Sequence, residues 1–127
     1  MRIDHIVILT KDLEKLRSFY ETYFQAKSNN KYVNKTKGFS SYFLSFDSGS
    51  RLEIMQMDSI VESMDHSNKI GLTHLAVSVG SKEEVDQLTA KLKNEGFEII
   101  ENPRTTGDGY CESKVSDPDG NLIEITI

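Results

Sequence analysis

Two histidines and two glutamates stand out, because each sits in a short apolar run where a titratable side chain has to be explained. His5 lies within Asp4-His5-Ile6-Val7-Ile8, and His74 within Thr73-His74-Leu75-Ala76-Val77. Glu53 lies within Leu52-Glu53-Ile54, and Glu124 within Ile123-Glu124-Ile125. Taken singly, a strand histidine is most often a hydrogen-bonded core residue. A glutamate between aliphatics is most often the solvent-facing position of an alternating strand. Taken together, they repeat. The histidines are 69 residues apart (5 to 74) and the glutamates 71 apart (53 to 124). Two chemically matched landmarks at a near-constant offset mark a duplicated unit. Two imidazoles and two carboxylates suit a divalent first-row ion, with room for water or substrate. The expectation is therefore one divalent metal ion (Zn, Ni, Co or Mn) held by His5, Glu53, His74 and Glu124.

The elements that must position these residues follow from periodicity. Residues 3–9 are β-branched and apolar and read as a strand. A helix follows, with Thr10 or Asp12 as its N-cap and an apolar stripe of Leu13, Leu16, Phe19, Tyr20, Tyr23 and Phe24. Residues 31–34, 41–46 and 51–57 read as three further strands, the last two joined by the turn Asp47-Ser48-Gly49-Ser50. The second half repeats the order. A strand at 72–79 precedes a helix capped by Ser81, with Glu84 in capping-box position, an apolar face of Val85, Leu88 and Leu92, and Gly96 at its end. Strands are expected at 97–100, halted near Pro103, then at 110–116 and 121–127, with Asp117-Pro118-Asp119-Gly120 as a type I turn. In the strand carrying His74, residues 73, 75, 77 and 79 take the helix side, leaving His74 on the other face.

The fold class is thus α+β: two tandem βαβββ modules in one domain, forming a curved, mostly antiparallel sheet around a central cleft. Module 1 covers about 1–57, a linker 58–70, and module 2 about 71–127. His66, in the linker, reads as an exposed loop residue. Cys111 is the only cysteine and reads as an ordinary strand residue in a chain suited to a reducing, cytoplasmic setting. A net charge of -5 argues against nucleic acid or an anionic membrane surface as the main partner. No apolar stretch approaches the roughly 20 residues of a membrane span, and residues 1–10 do not read as a signal peptide.

The pieces Asp4-His5-Ile6, Phe19-Tyr20, Arg51-Leu52-Glu53-Ile54, Thr73-His74-Leu75-Ala76-Val77 and Asp117-Pro118-Asp119-Gly120-Asn121-Leu122-Ile123-Glu124 resemble the vicinal-oxygen-chelate superfamily over the whole chain. Its members include glyoxalase I, fosfomycin-resistance proteins, extradiol dioxygenases and bleomycin-binding proteins. The ligand set is closest to bacterial lactoylglutathione lyases, whose four ligands match His5, Glu53, His74 and Glu124. The resemblance implies isomerisation of a methylglyoxal–glutathione hemithioacetal through an enediolate, with Glu124 as the catalytic base and Glu53 as the second candidate. It also implies a homodimer, whose site is shared across the interface in many members. Where glyoxalase I enzymes place an Arg and an Asn to grip glutathione, this sequence has Leu9 and Met57. Arg51, Arg104 and Tyr110 are the candidate substrate-binding residues, the last two flanking a glycine-bearing loop at 104–110. Three alternatives stay open. A fosfomycin-type thiol transferase or an Fe(II) dioxygenase would use two His and one carboxylate, leaving Glu53 surplus. A metal-free bleomycin-resistance-like module would typically have lost the ligands.

Overall fold

The computed structural model describes residues 1–60, 70–107 and 109–127; His66, most of the linker and Asp108 lie outside the described residues. The element order is β1 (His5–Leu9), α1 (Leu13–Phe24), β2 (Lys27–Ser28), β3 (Tyr32–Asn34), β4 (Phe39–Ser45), β5 (Arg51–Met57), β6 (Leu75–Ser78), α2 (Lys82–Asn94), β7 (Ile99–Thr105), β8 (Cys111–Ser116) and β9 (Leu122–Thr126). The chain divides into two compact units, Met1–Ser63 and Met64–Ile127.

In the first unit the sheet runs β1-β5-β4-β2, with β3 also on β4. β1 and β5 are parallel, and the other pairs antiparallel. β2 and β3 are one edge strand broken at Asn29, which bridges the gap. Its N–H donates to the Phe43 carbonyl, and its side-chain oxygen accepts from the Phe43 N–H at 2.8 Å. The sequence showed no sign of β2, since two residues carry no period. Asp12 is the N-cap of α1, its carboxylate accepting from Lys15 N–H, while Thr10 accepts from Asp12 N–H. α1 ends without glycine: Gln25 adopts the left-handed conformation at φ 55°. Its buried stripe of Leu13, Leu16, Phe19, Tyr20 and Phe24 packs on the sheet face that buries Tyr42, Leu44, Leu52 and Ile54. Truncating one such aliphatic to Ala costs about 2–5 kcal/mol.

The second unit repeats the plan as β6-β9-β8-β7, with β6 and β9 parallel. Ser81 caps α2 by accepting from Glu84 N–H. At the other end Gly96 takes φ 87°, Gly96 N–H reaches the Lys93 carbonyl, and Phe97 N–H reaches the Leu92 carbonyl. That is the Schellman closure which a glycine in this place permits. Thr89 is buried in α2, where its hydroxyl meets the Val85 carbonyl and the Ser113 hydroxyl, both at 2.6 Å.

Expected boundaries are corrected in β7 and β6. β7 does not halt before Pro103 but runs on to Thr105. Proline is accommodated because β7 is the edge of its sheet, and because Pro103 falls in the irregular stretch between the Glu101–Lys114 and Arg104–Glu112 pairs. β6 is also shorter than expected, beginning at Leu75, so that His74 stands just before it.

The β8–β9 turn is closed by Asp117. Its carboxylate accepts from Asp119 N–H, Asn121 N–H and the Asn121 side-chain amide, each at 2.9 Å. Burial nevertheless pushes its pKa above the ordinary carboxyl value, outweighing the three donors that lower it. Asp117→Ala should destabilise the fold by about 2–3 kcal/mol in urea unfolding, from loss of the turn's hydrogen bonds. The raised native pKa means that the folded chain holds this proton more tightly than the unfolded chain. The contribution is therefore present at acid pH and is lost as pH rises through the native pKa. Asp117→Asn should remove that part of the stability–pH slope.

Candidate functional site

Strand parity decides where the singled-out residues go. In the first unit, Ile8, Leu52 and Ile54 are buried on the helix side. His5 and Glu53, out of phase with them, take the face away from α1. The parallel register sets His5 opposite Arg51 and Val7 opposite Glu53; across β4, Glu53 stands opposite Phe43. His5 Nε2 lies 3.8 Å from Glu53 Oε2. In the second unit, Ile123 and Ile125 are fully buried on the helix side, and Glu124 alternates to the other face opposite Ala76 and Lys114. His74 Nε2 lies 3.5 Å from Glu124 Oε2.

Each unit therefore brings together one His and one Glu. Both separations exceed a hydrogen bond. Two ligands bound about 2.1 Å from one ion at a tetrahedral angle stand roughly 3.4 Å apart, which is close to both. The glutamate side chains are largely shielded, at 12% exposure for Glu53 and 16% for Glu124. His74 Nδ1 is a buried nitrogen with no hydrogen-bond partner among the described residues. Among the described residues, no three His, Cys, Asp or Glu side chains gather closely enough to hold a metal ion by themselves. The donor chemistry of each pair, one imidazole and one carboxylate, suits a divalent first-row ion.

The surroundings of the two pairs differ. In the first unit, His5 Nδ1 is 3.0 Å from the Asp4 carboxylate, which also pairs with the Arg51 guanidinium. These partners, His5 first and then Arg51, hold the Asp4 pKa below its usual value. The His5 ring meets Phe43 edge-on at 5.2 Å, and the Arg51 guanidinium lies 4.4 Å over the same ring. Arg51 is thus engaged with Asp4 and Phe43. Sequence reasoning passed over both Asp4 and Phe43. The signal available was their position, one residue before a candidate ligand and cross-strand from another.

In the second unit the face carrying Glu124 is charged. Arg104 Nη2 reaches Glu112 at 2.9 Å and Glu101 at 3.2 Å, and Lys114 reaches Glu101 at 3.2 Å. Arg104 is therefore spent on two carboxylates, although half-exposed. Tyr110 is exposed and closes the β7–β8 loop through its carbonyl, which accepts from the N–H and hydroxyl of Thr106. Cys111 is a buried free thiol.

Comparison with known proteins agrees with the fold. The family model described as Glyoxalase/Bleomycin resistance protein/Dioxygenase superfamily matches residues 2–125. An uncharacterised protein of Bacillus subtilis (strain 168), YqjT, is 28% identical over 128 residues, which cover 95% of this chain and 94% of that protein. The fosfomycin resistance protein FosX of Listeria monocytogenes is 31% identical over 108 residues, covering 84% of this chain and 75% of FosX. Among solved structures, glyoxalase I from Zea mays superposes with a TM-score of 0.80 at 22% identity, over 98% of this chain. The chain spans only 44% of that maize protein, and the likeness is one of fold. With paired βαβββ units, a His–Glu couple in each and a family match over nearly its whole length, the chain belongs to the Glyoxalase/Bleomycin resistance protein/Dioxygenase superfamily.

Proposed function

We propose that this chain is a metal-dependent lyase or isomerase of the glyoxalase I type, acting on a small substrate with two neighbouring oxygens. His5, Glu53, His74 and Glu124 form the ligand set, each His–Glu couple giving half. The observation that carries the reading is the repeated Nε2–Oε2 separation, 3.8 Å in one unit and 3.5 Å in the other, too long for a hydrogen bond and near the span of two ligands on one ion. A divalent ion (Zn, Ni, Co or Mn) would supply positive charge against the substrate oxygens. Proton movement falls to the glutamates. Glu124 takes a proton from one carbon and returns it to the neighbouring one, and its low exposure limits exchange with water. Glu53 has the same shielding and is the second candidate. Methylglyoxal hemithioacetals of glutathione are the first substrates in this class. Tyr110 and Arg104 are the substrate contacts that belong to this reading, and a homodimer in the cytoplasm is its setting. Among the described residues, no helix is long and apolar enough to cross a membrane.

A fosfomycin-modifying enzyme is the second reading, and the FosX relative is the observation that favours it. Consumption of fosfomycin with water or a thiol, and none of the hemithioacetal, would select it.

Metal analysis after purification without chelators should give about one divalent ion per chain, and His74→Ala should lose it. A chain that takes up none of zinc, nickel, cobalt or manganese defeats the metalloenzyme reading and leaves a metal-free binding module. Given turnover, Glu124→Gln should lower kcat by about 10²–10⁴-fold, and Glu53→Gln by less. Arg104→Ala should cost about 0.5–1 kcal/mol in urea unfolding, because it leaves the shielded Glu112 without its cation. A rise in KM for this variant, at unchanged stability, would mark Arg104 as a substrate contact.

A further inference from the structure

We propose that Asp4, braced by Arg51, is a positioning residue that fixes the tautomer and orientation of His5. The inference deepens the ligand reading above and rests on it where metal affinity is concerned. A carboxylate only accepts hydrogen bonds. The 3.0 Å contact between His5 Nδ1 and Asp4 Oδ2 therefore places the proton of a neutral His5 on Nδ1, and leaves the Nε2 lone pair on the Glu53 side. An unconstrained histidine side chain favours the opposite tautomer, with the proton on Nε2, which cannot ligate through that atom. A carboxylate behind the ring also makes the far nitrogen a stronger donor.

The Asp4 carboxylate is itself held. Arg51 Nη2 reaches the same Oδ2 atom, and the backbone N–H of Arg51 donates to the Asp4 carbonyl at 3.0 Å. Phe43 completes the brace, with its edge geometry to His5 and its face under the Arg51 guanidinium. The register makes this possible, because Arg51 is the β5 partner of His5 and stands two residues before Glu53 on the same strand face. Arg51 thereby acts on His5 through Asp4. Among the described residues, the second unit lacks the device. Thr73 precedes His74, and His74 Nδ1 is buried without a partner among the described residues. The two histidines, equivalent by repeat, are thus unequal as ligands: His5 is preorganised and His74 is not.

Nitrogen NMR of the metal-free full chain, with the His5 ring assigned against His5→Gln, reads the tautomer directly. Wild type should carry the neutral proton on Nδ1. Asp4→Ala should move it largely to Nε2, and Arg51→Met should do so in part. Asp4→Asn retains an acceptor oxygen and should keep most of the Nδ1 form. Calorimetric titration with zinc should show a 10–100-fold weaker first ion in Asp4→Ala, with a smaller loss in Asp4→Asn and none in Thr73→Ala. Thermal unfolding of these variants should change little, since the Asp4 contacts are exposed. A wild-type His5 with its proton on Nε2, or an Asp4→Ala chain with unchanged tautomer and zinc affinity, overturns the proposal. If wild type shows the Nδ1 form, Asp4→Ala loses it, and neither binds zinc, the brace stands and the ligand reading falls.

Discussion

Both halves of the molecule depend on one constraint, the parallel pairing of the first strand of each unit with its last. β1 lies against β5 and β6 against β9, and each helix covers the side on which Ile8, Leu52 and Ile54, or Ile123 and Ile125, are buried. A strand has only two faces. Burying these aliphatics under a helix leaves the intervening Glu no choice but the other face. The parallel direction brings the start of the first strand, where the His stands, beside the Glu-bearing strand. An antiparallel pairing would carry the His toward the other end. The face that the polar pair occupies is a by-product of apolar burial and is as secure as the core.

On that shared scaffold the two units diverge in what surrounds the pair. The first adds an ion pair and an aromatic ring behind its histidine, so that Asp4, Arg51 and Phe43 fix the imidazole. The second invests in a cross-strand charge ladder, Glu101 with Lys114 and Arg104 with Glu112, on the face that also holds Glu124. Lys114 stands directly opposite Glu124 in register. Glu53, by contrast, faces the apolar Phe43 across β4. Two glutamates at matched positions thus have unlike cross-strand neighbours, a ring in one unit and a lysine in the other.

The sequence disclosed what rests on period and repetition, and concealed what rests on single contacts. The helix stripe of α1, the Ser81 cap, the Gly96 terminus and the β5 and β9 strands all have signals spread over several residues or a turn residue of narrow use. So does the α+β plan of two βαβββ units, since it recurs. The break between β2 and β3 was not legible, because it hinges on one side chain, Asn29, substituting for a backbone partner. Gln25 in a left-handed cap was not legible either, since the conformation at φ 55° is one that glycine, not glutamine, ordinarily signals. Pro103 misled, because its effect depends on whether its strand is an edge, a fact of topology. At the site, the His and Glu pairs could be named from the repeat. Asp4 could not, because a carboxylate beside a histidine points to it only when the backbone turns it so.

The distances inside the pairs carry a final argument. At 3.8 and 3.5 Å neither Glu satisfies its His, and no hydrogen bond joins them. A shielded carboxylate costs free energy when unpaired, on the order of 1–3 kcal/mol, and both glutamates are shielded while the histidine rings stay about a third exposed. A purely structural pair gains from closing by the few tenths of an ångström that a hydrogen bond needs. Both units nevertheless hold the pair slightly open at equivalent strand positions, and it is on this repeated geometry that the proposed ligand set rests.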